Sequence, residues 1–158
     1  MGREIERKFK VEGRAWAEGA SAETLRQGYI DTAAREVSVR VRTAAGRGWI
    51  TLKSGLGLVR AEFEYEIPLE DANRLLTDFC RDGQISKRRY TVDVDGKAWV
   101  IDEFDGDLAG LVLAEVELDS PDEGVTLPSW AGAEVTGERA YSNEALSRRR
   151  NPATSGSD

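Results

Sequence analysis

The sequence predicts an all-β-dominated α+β domain of eight antiparallel strands and few helices, on three observations. Charged and apolar residues alternate along Glu4-Ile5-Glu6-Arg7-Lys8-Phe9, Ser38-Val39-Arg40-Val41-Arg42, Glu62-Phe63-Glu64-Tyr65-Glu66-Ile67 and Glu115-Val116-Glu117-Leu118, the period of two that marks a strand with one polar face. Residues that tolerate positive φ separate the runs at Gly46-Arg47-Gly48, Ser54-Gly55-Leu56-Gly57, Asp95-Gly96 and Asp105-Gly106-Asp107, and such short links join antiparallel neighbours. Only one stretch, from about Glu70 to Arg81, has clear helical spacing.

In chain order, strands are expected at 3–11, 26–31, 37–43, 48–53, 60–67, 86–94, 98–104 and 111–118. Pro68 marks the boundary ahead of the helix at 70–81, whose apolar stripe is Leu75, Leu76, Phe79 and Cys80, and Asp82-Gly83 ends it. A lone cysteine on that stripe reads as a packing residue. Weaker helices are expected at 14–19 and at 142–149, where Ser142 can cap. Residues 1–150 read as one domain and the small polar residues 151–158 as a disordered tail.

The strand faces divide sharply. Val37, Val39 and Val41 oppose Ser38, Arg40 and Arg42; Ile50 and Leu52 oppose Thr51 and Lys53; Phe63, Tyr65 and Ile67 oppose Glu62, Glu64 and Glu66. Period alone fits the solvated face of an antiparallel sandwich. It also fits an eight-stranded sheet closed on itself with the ionic faces inward. The residue types favour closure. The charges come as same-sign doublets, Arg40 with Arg42, Lys87 with Arg89, Glu62 with Glu64 and Glu115 with Glu117, which repel unless an ion or ligand lies between them. The apolar faces would then lie outside, to be covered by the helices and, as an expectation, by a second copy in a homodimer.

Composition narrows the chemistry. A net charge of −7 argues against a nucleic-acid surface. The chain has no apolar run long enough to span a bilayer and a single cysteine, so no internal disulfide forms and a cytoplasmic location is expected. It has no histidine, which excludes imidazole bases and histidine metal sites and leaves carboxylates, tyrosine, lysine or a metal-bound water. Trp16, Trp49, Trp99 and Trp130 are scattered and read as packing. Arg148-Arg149-Arg150 reads as a solvated helix end, and Gly55 and Gly57 as a turn, since no P-loop lysine follows.

Taken in order, Glu4-x-Glu6-x-Lys8, Gln27-Gly28-Tyr29, Val39-Arg40-Val41-Arg42, Thr51-Leu52-Lys53, Glu62-Phe63-Glu64-Tyr65-Glu66-Ile67-Pro68, Lys87-Arg88-Arg89-Tyr90, Asp102-Glu103-Phe104, Ala114-Glu115-Val116-Glu117-Leu118 and Tyr141-Ser142-Asn143 resemble the CYTH superfamily, the triphosphate tunnel metalloenzymes. They look most like its short bacterial members that hydrolyse inorganic tripolyphosphate. The resemblance implies a closed eight-stranded antiparallel barrel that binds triphosphate along its length with a divalent metal, Mg2+ or Mn2+. Lys8, Arg40, Arg42, Lys53, Lys87 and Arg89 are the residue types that neutralise a row of phosphate oxygens. By correspondence with the family, Glu4, Glu6, Glu115 and Glu117 belong at metal with Asp102 as a further member, and Tyr29 takes the position proposed to assist proton transfer. Glu62 and Glu64 are expected to orient cations or serve a second metal, Glu66 to lie at the rim, and Arg88 and Glu103 to tune substrate choice.

Three other functions stay open on the sequence. A class IV-like adenylyl cyclase shares the fold and the Glu-x-Glu-x-Lys element but needs a purine pocket. A thiamine triphosphatase would hold the terminal phosphates identically. A non-catalytic polyphosphate-binding module would keep the cations without needing the carboxylates.

Overall fold

A computed structural model describes residues 2–34, 36–55, 57–80 and 83–148. Among the described residues there are nine strands: β1 (Arg3–Val11), β2 (Ala22–Ile30), β3 (Val37–Ala44), β4 (Arg47–Ser54), β5 (Val59–Ile67), β6 (Gln84–Val94), β7 (Lys97–Phe104), β8 (Val112–Glu117) and β9 (Ala131–Glu134). The same residues form two helices, α1 (Leu69–Asp78) and α2 (Asn143–Ser147), and three 3-10 turns.

The first eight strands close into an antiparallel barrel in the order β5-β4-β3-β2-β6-β7-β8-β1. Closure depends on β1, which pairs with β8 from Glu6↔Glu117 to Lys10↔Leu113 on one edge and with β5 from Arg3↔Ala61 to Ile5↔Val59 on the other. The remainder of that second edge is taken by β9, with Phe9↔Glu134 and Val11↔Ala131. This ninth strand is absent from the sequence expectation because Ala-Gly-Ala-Glu has no alternation of its own; it exists because β1 leaves backbone groups to satisfy.

The outer apolar faces are covered in two ways. Trp16 packs edge-on to Tyr90 at 4.9 Å, and Trp99 contacts both Phe9 and Trp130 at 5.5 Å, which wraps β1, β6, β7 and β8 in one apolar cluster. On the other side Ala72 and Leu76 of α1, with Cys80 just beyond its end, pack against Val41. It lies so close that a Cβ on Gly48 would sit 2.5 Å from the Ala72 Cβ, and one on Gly28 would sit 2.7 Å from the Cys80 Cβ.

The helices differ from expectation in length. α1 stops at Asp78, with the Phe79 N–H donating to the Leu75 carbonyl, three residues short of the periodic pattern; Arg81 and Asp82 lie outside the described residues. The 14–19 segment makes only a 3-10 turn at Ala15–Ala17. α2 begins where expected, with the Ser142 hydroxyl accepting from the Ala145 N–H. Arg149 and Arg150 of the basic run, and the expected tail, 151–158, also lie outside the described residues. Leu52, Phe63 and Tyr65, on the outer face of β4 and β5, stay 41%, 50% and 58% exposed. No described helix is long and apolar enough to cross a membrane.

Candidate active site in the barrel interior

Alternation along the strands carries the ionic faces inward. One cavity of about 370 Å³ is lined by Glu4, Glu6 and Lys8 of β1, Tyr29 of β2, Arg40 and Arg42 of β3, Lys53 of β4, Arg89 of β6 and Glu115 of β8. Its rim carries Arg60 and, from the C-terminal segment, Arg139 and Arg148. Nine of the fourteen expected site residues therefore meet around one space, although they come from six strands.

The other five stand apart from that lining. Lys87 is wholly buried and Asp102 nearly so; Lys87 Nζ lies 2.7 Å from Asp102 Oδ2, and Asp102 accepts from Arg89 through both oxygens at 2.8 and 2.9 Å. Glu62 flanks Lys53 at 3.3 Å. Glu64 accepts from Thr51 at 2.8 Å and from Arg40 at 3.2 Å. Glu117 is exposed. Arg88 and Glu103 face outward, 3.1 Å apart, with Arg14 completing the cluster; the strand alternation that turns Arg89 and Asp102 inward turns their neighbours away from the cavity.

Two groups at the site come from the C-terminal segment. The Tyr141 carbonyl accepts from Lys8 Nζ at 3.1 Å, and Asn143 Oδ1 accepts from Lys87 Nζ at 3.1 Å. Behind them Val135 and Leu146 pack on Ile85, Phe104, Leu108 and Leu113, filling part of this end of the barrel with apolar side chains. Tyr141-Ser142-Asn143 was visible as a motif, but a backbone carbonyl leaves no mark in a sequence.

The charges are unevenly balanced. Burial, then Glu115 and Glu4, lift the Glu6 carboxyl well above its ordinary range. Burial also works against an ionised Glu115, but Lys8, Arg89 and Lys87 outweigh it and hold its pKa well below the usual value. Glu6 and Glu115 face each other closely, and the like charge of Glu115 adds to the rise at Glu6. Glu4 is raised by burial, against the pull of Lys53. Among the cations, burial with Arg40 and Arg89 brings Arg42 down to about 9, and burial brings Lys87 to about 7 despite Asp102. Arg40 Nε is buried without a hydrogen-bond partner.

Among the described residues no three Asp, Glu or Cys side chains already stand close enough together to hold a metal ion. The donor set nevertheless suits a hard divalent cation. Glu4, Glu6 and Glu115 present carboxylate oxygens to the cavity that the cations line, and such ions commonly take one or two carboxylates with water and phosphate oxygens completing the shell. An orphaned donor on Arg40 and a surplus of positive charge at Arg42 are features of a site that receives an anion.

Residues 2–149 match the CYTH domain. An inorganic triphosphatase of Acetivibrio thermocellus is 44% identical over 149 residues, 92% of this chain and 94% of that protein. One from Nitrosomonas europaea is 37% identical over 147 residues, 90% of this chain and 95% of that protein. The crystal structure of an inorganic triphosphatase superimposes with a TM-score of 0.66 at 34% identity, covering 94% of this chain and 99% of the other. With its closed barrel, its inward rows of opposite charge and a match spanning nearly every residue, the chain belongs to the CYTH domain family.

Proposed function

We propose that this protein hydrolyses inorganic tripolyphosphate to diphosphate and orthophosphate within the barrel. One observation carries the choice of substrate: the cavity is walled by cations facing carboxylates, and Tyr29 is the sole aromatic side chain among its described lining residues. A purine or thiamine ring would find no aromatic side chain at the rim to stack on, whereas a bare polyphosphate needs no such platform. The relatives named inorganic triphosphatase support the same reading.

Lys8, Arg40, Arg42, Lys53 and Arg89 bind the phosphate oxygens and fix the chain in line for attack. Lys87 and Asp102 act from behind the wall, and Asp102 orients Arg89 rather than serving as a metal ligand, since its oxygens are occupied by Lys87 and Arg89. Glu62 and Glu64 orient Lys53 and Arg40. Tyr29 hydrogen-bonds the reacting phosphate. Water adds to the terminal phosphorus as the bridging P–O bond breaks and diphosphate leaves, its charge balanced by the same cations.

Enzymes of this family are generally metal-dependent, and Mg2+ or Mn2+ would be held here by Glu4, Glu6 and Glu115, with Glu117 near the end of the same strand face. When bound, the ion supplies neutralising charge at phosphate oxygens and a more acidic water.

Phosphate release from tripolyphosphate, thiamine triphosphate, ATP and diphosphate, each with Mg2+ and Mn2+, tests the reading. Tripolyphosphate should be preferred, with Glu4→Ala and Lys8→Ala near background. Cyclic AMP formation from ATP, or tight binding with no release, would replace it with the cyclase or the binding-module reading. The expected homodimer would use the exposed Leu52, Phe63 and Tyr65 face; sedimentation of wild type beside Phe63→Lys tests it.

A further inference from the structure

We propose that Gln27 is a positioning residue whose single side-chain amide aims both the Arg42 guanidinium and the Tyr29 hydroxyl at bound triphosphate while leaving the charge of Arg42 uncancelled. The proposal rests on the triphosphatase reading above and assigns a residue that the sequence motif contained without a role.

Gln27 lies in β2 opposite Arg42 of β3 and Ile85 of β6. It is wholly buried and stands behind the cavity wall, whereas Tyr29 and Arg42 both line the cavity. Arg42 Nε donates to Gln27 Oε1 at 2.9 Å, and Gln27 Nε2 lies 3.2 Å from the Tyr29 hydroxyl oxygen. A guanidinium has donors only, so the amide oxygen must face Arg42 and the amide NH2 must face Tyr29. The orientation of this amide is therefore set by its partners. The phenol oxygen accepts the N–H, so its own O–H points away from Gln27 and is available to a phosphate oxygen in the cavity. Tyr29 is thus presented to the ligand as a hydrogen-bond donor.

The choice of an amide over a carboxylate has a second consequence. Arg89 is clasped by Asp102 and Arg40 meets Glu64, but among the described residues Arg42 has no carboxylate partner and is held by Gln27 alone. A carboxylate at position 27 would secure the guanidinium equally well and would cancel the attraction it offers an incoming anion. An amide fixes its geometry and leaves that attraction to the ligand. The lowered pKa of Arg42, from burial and the neighbouring Arg40 and Arg89, agrees with a cation awaiting a counter-ion.

The test compares wild type, Gln27→Glu and Gln27→Leu by thermal unfolding, by calorimetric binding of tripolyphosphate with chelator present, and by kcat and KM with Mg2+. Gln27→Glu should melt at or above the wild type, because Arg42 gains an ion pair, yet bind tripolyphosphate at least about tenfold more weakly, with KM rising in step. Tyr29→Phe should weaken binding in the wild type and have little further effect in Gln27→Glu, where the phenol O–H turns to donate its hydrogen bond to the carboxylate. Gln27→Glu binding as tightly as wild type overturns the proposal, and fully additive effects overturn the tyrosine half. If Gln27→Leu does not fold, Gln27→Glu still decides, since it leaves Arg42 with a partner. Wild type that binds tripolyphosphate without releasing phosphate would instead overturn the triphosphatase reading and leave the binding comparison intact.

Discussion

Lys87 Nζ and Asp102 Oδ2 meet at 2.7 Å with their side chains 0% and 3% exposed, and the same carboxylate clasps Arg89. One buried anion thus serves two cations of the same strand. Burial opposes its charge, but Lys87 and Arg89 outweigh that and hold the Asp102 pKa below its ordinary value. Asp102→Ala would strip both cations of the carboxylate they share, leaving Glu115 as the nearby anion, and breaking a buried pair from one side costs about 3–5 kcal/mol. Urea unfolding should show that loss. Lys87→Met should cost less, because Arg89 still satisfies Asp102.

The same pair gives a pH dependence. The pKa of Lys87 falls from an ordinary 10.5 to about 7 in the folded chain, so between those values the unfolded chain binds a proton that the folded chain does not. Stability from this group therefore rises with pH across that window, by at most about 1.4 kcal/mol per pH unit. Unfolding free energies of wild type and Lys87→Met, measured from pH 7 to 10, should diverge with this sign. Parallel curves would mean that Lys87 keeps its proton throughout.

Much of this arrangement was legible in the sequence because a strand has only two faces. Once Val39 and Val41 are placed outside, Arg40 and Arg42 must go in, and the same step assigns Glu4, Glu6, Lys8, Lys53 and Glu115. Depth was not legible. Whether Lys87 lines the cavity or stands behind it depends on Asp102 lying near it across the β6–β7 pair and on Asn143, 56 positions away. The outward turn of Arg88 and Glu103 follows from the same alternation, yet an acidic residue beside Asp102 invited a functional reading. Gln27 was hidden for another reason: a neutral amide has no period or charge to flag, and its two roles appear only when β2 and β3 are in register.

The outer wall makes a separate demand. Because α1 rests directly on the backbone of Gly48, Gly48→Ala must displace the helix or Ala72, and such overpacking costs about 1–3 kcal/mol. The effect should be seen in urea unfolding. Hydrolysis measured well below the unfolding transition should change little, because the residues that line the cavity lie on the other face of the strands.

Glu6 makes the opposite trade. Its carboxyl is buried against Glu115 and near Glu4, and its pKa is raised well above the ordinary value. A raised carboxyl contributes stability while protonated and loses it as pH rises through its folded pKa, so ionised Glu6 opposes the fold at higher pH. The amide introduced by Glu6→Gln would keep a hydrogen-bond donor toward Glu115 and carry no charge. This variant should therefore melt above the wild type once pH exceeds that folded pKa, by about 2–4 °C for each kcal/mol in a chain of this size, and the gain should vanish at low pH. Its activity should fall by about a hundredfold or more, since the oxygen that destabilises the empty barrel is one that would meet the metal. Added Mg2+ should raise the wild-type melting temperature, an effect chelator reverses, and should do less for Glu6→Gln. Equal responses of both proteins to Mg2+ would place the ion elsewhere in the barrel.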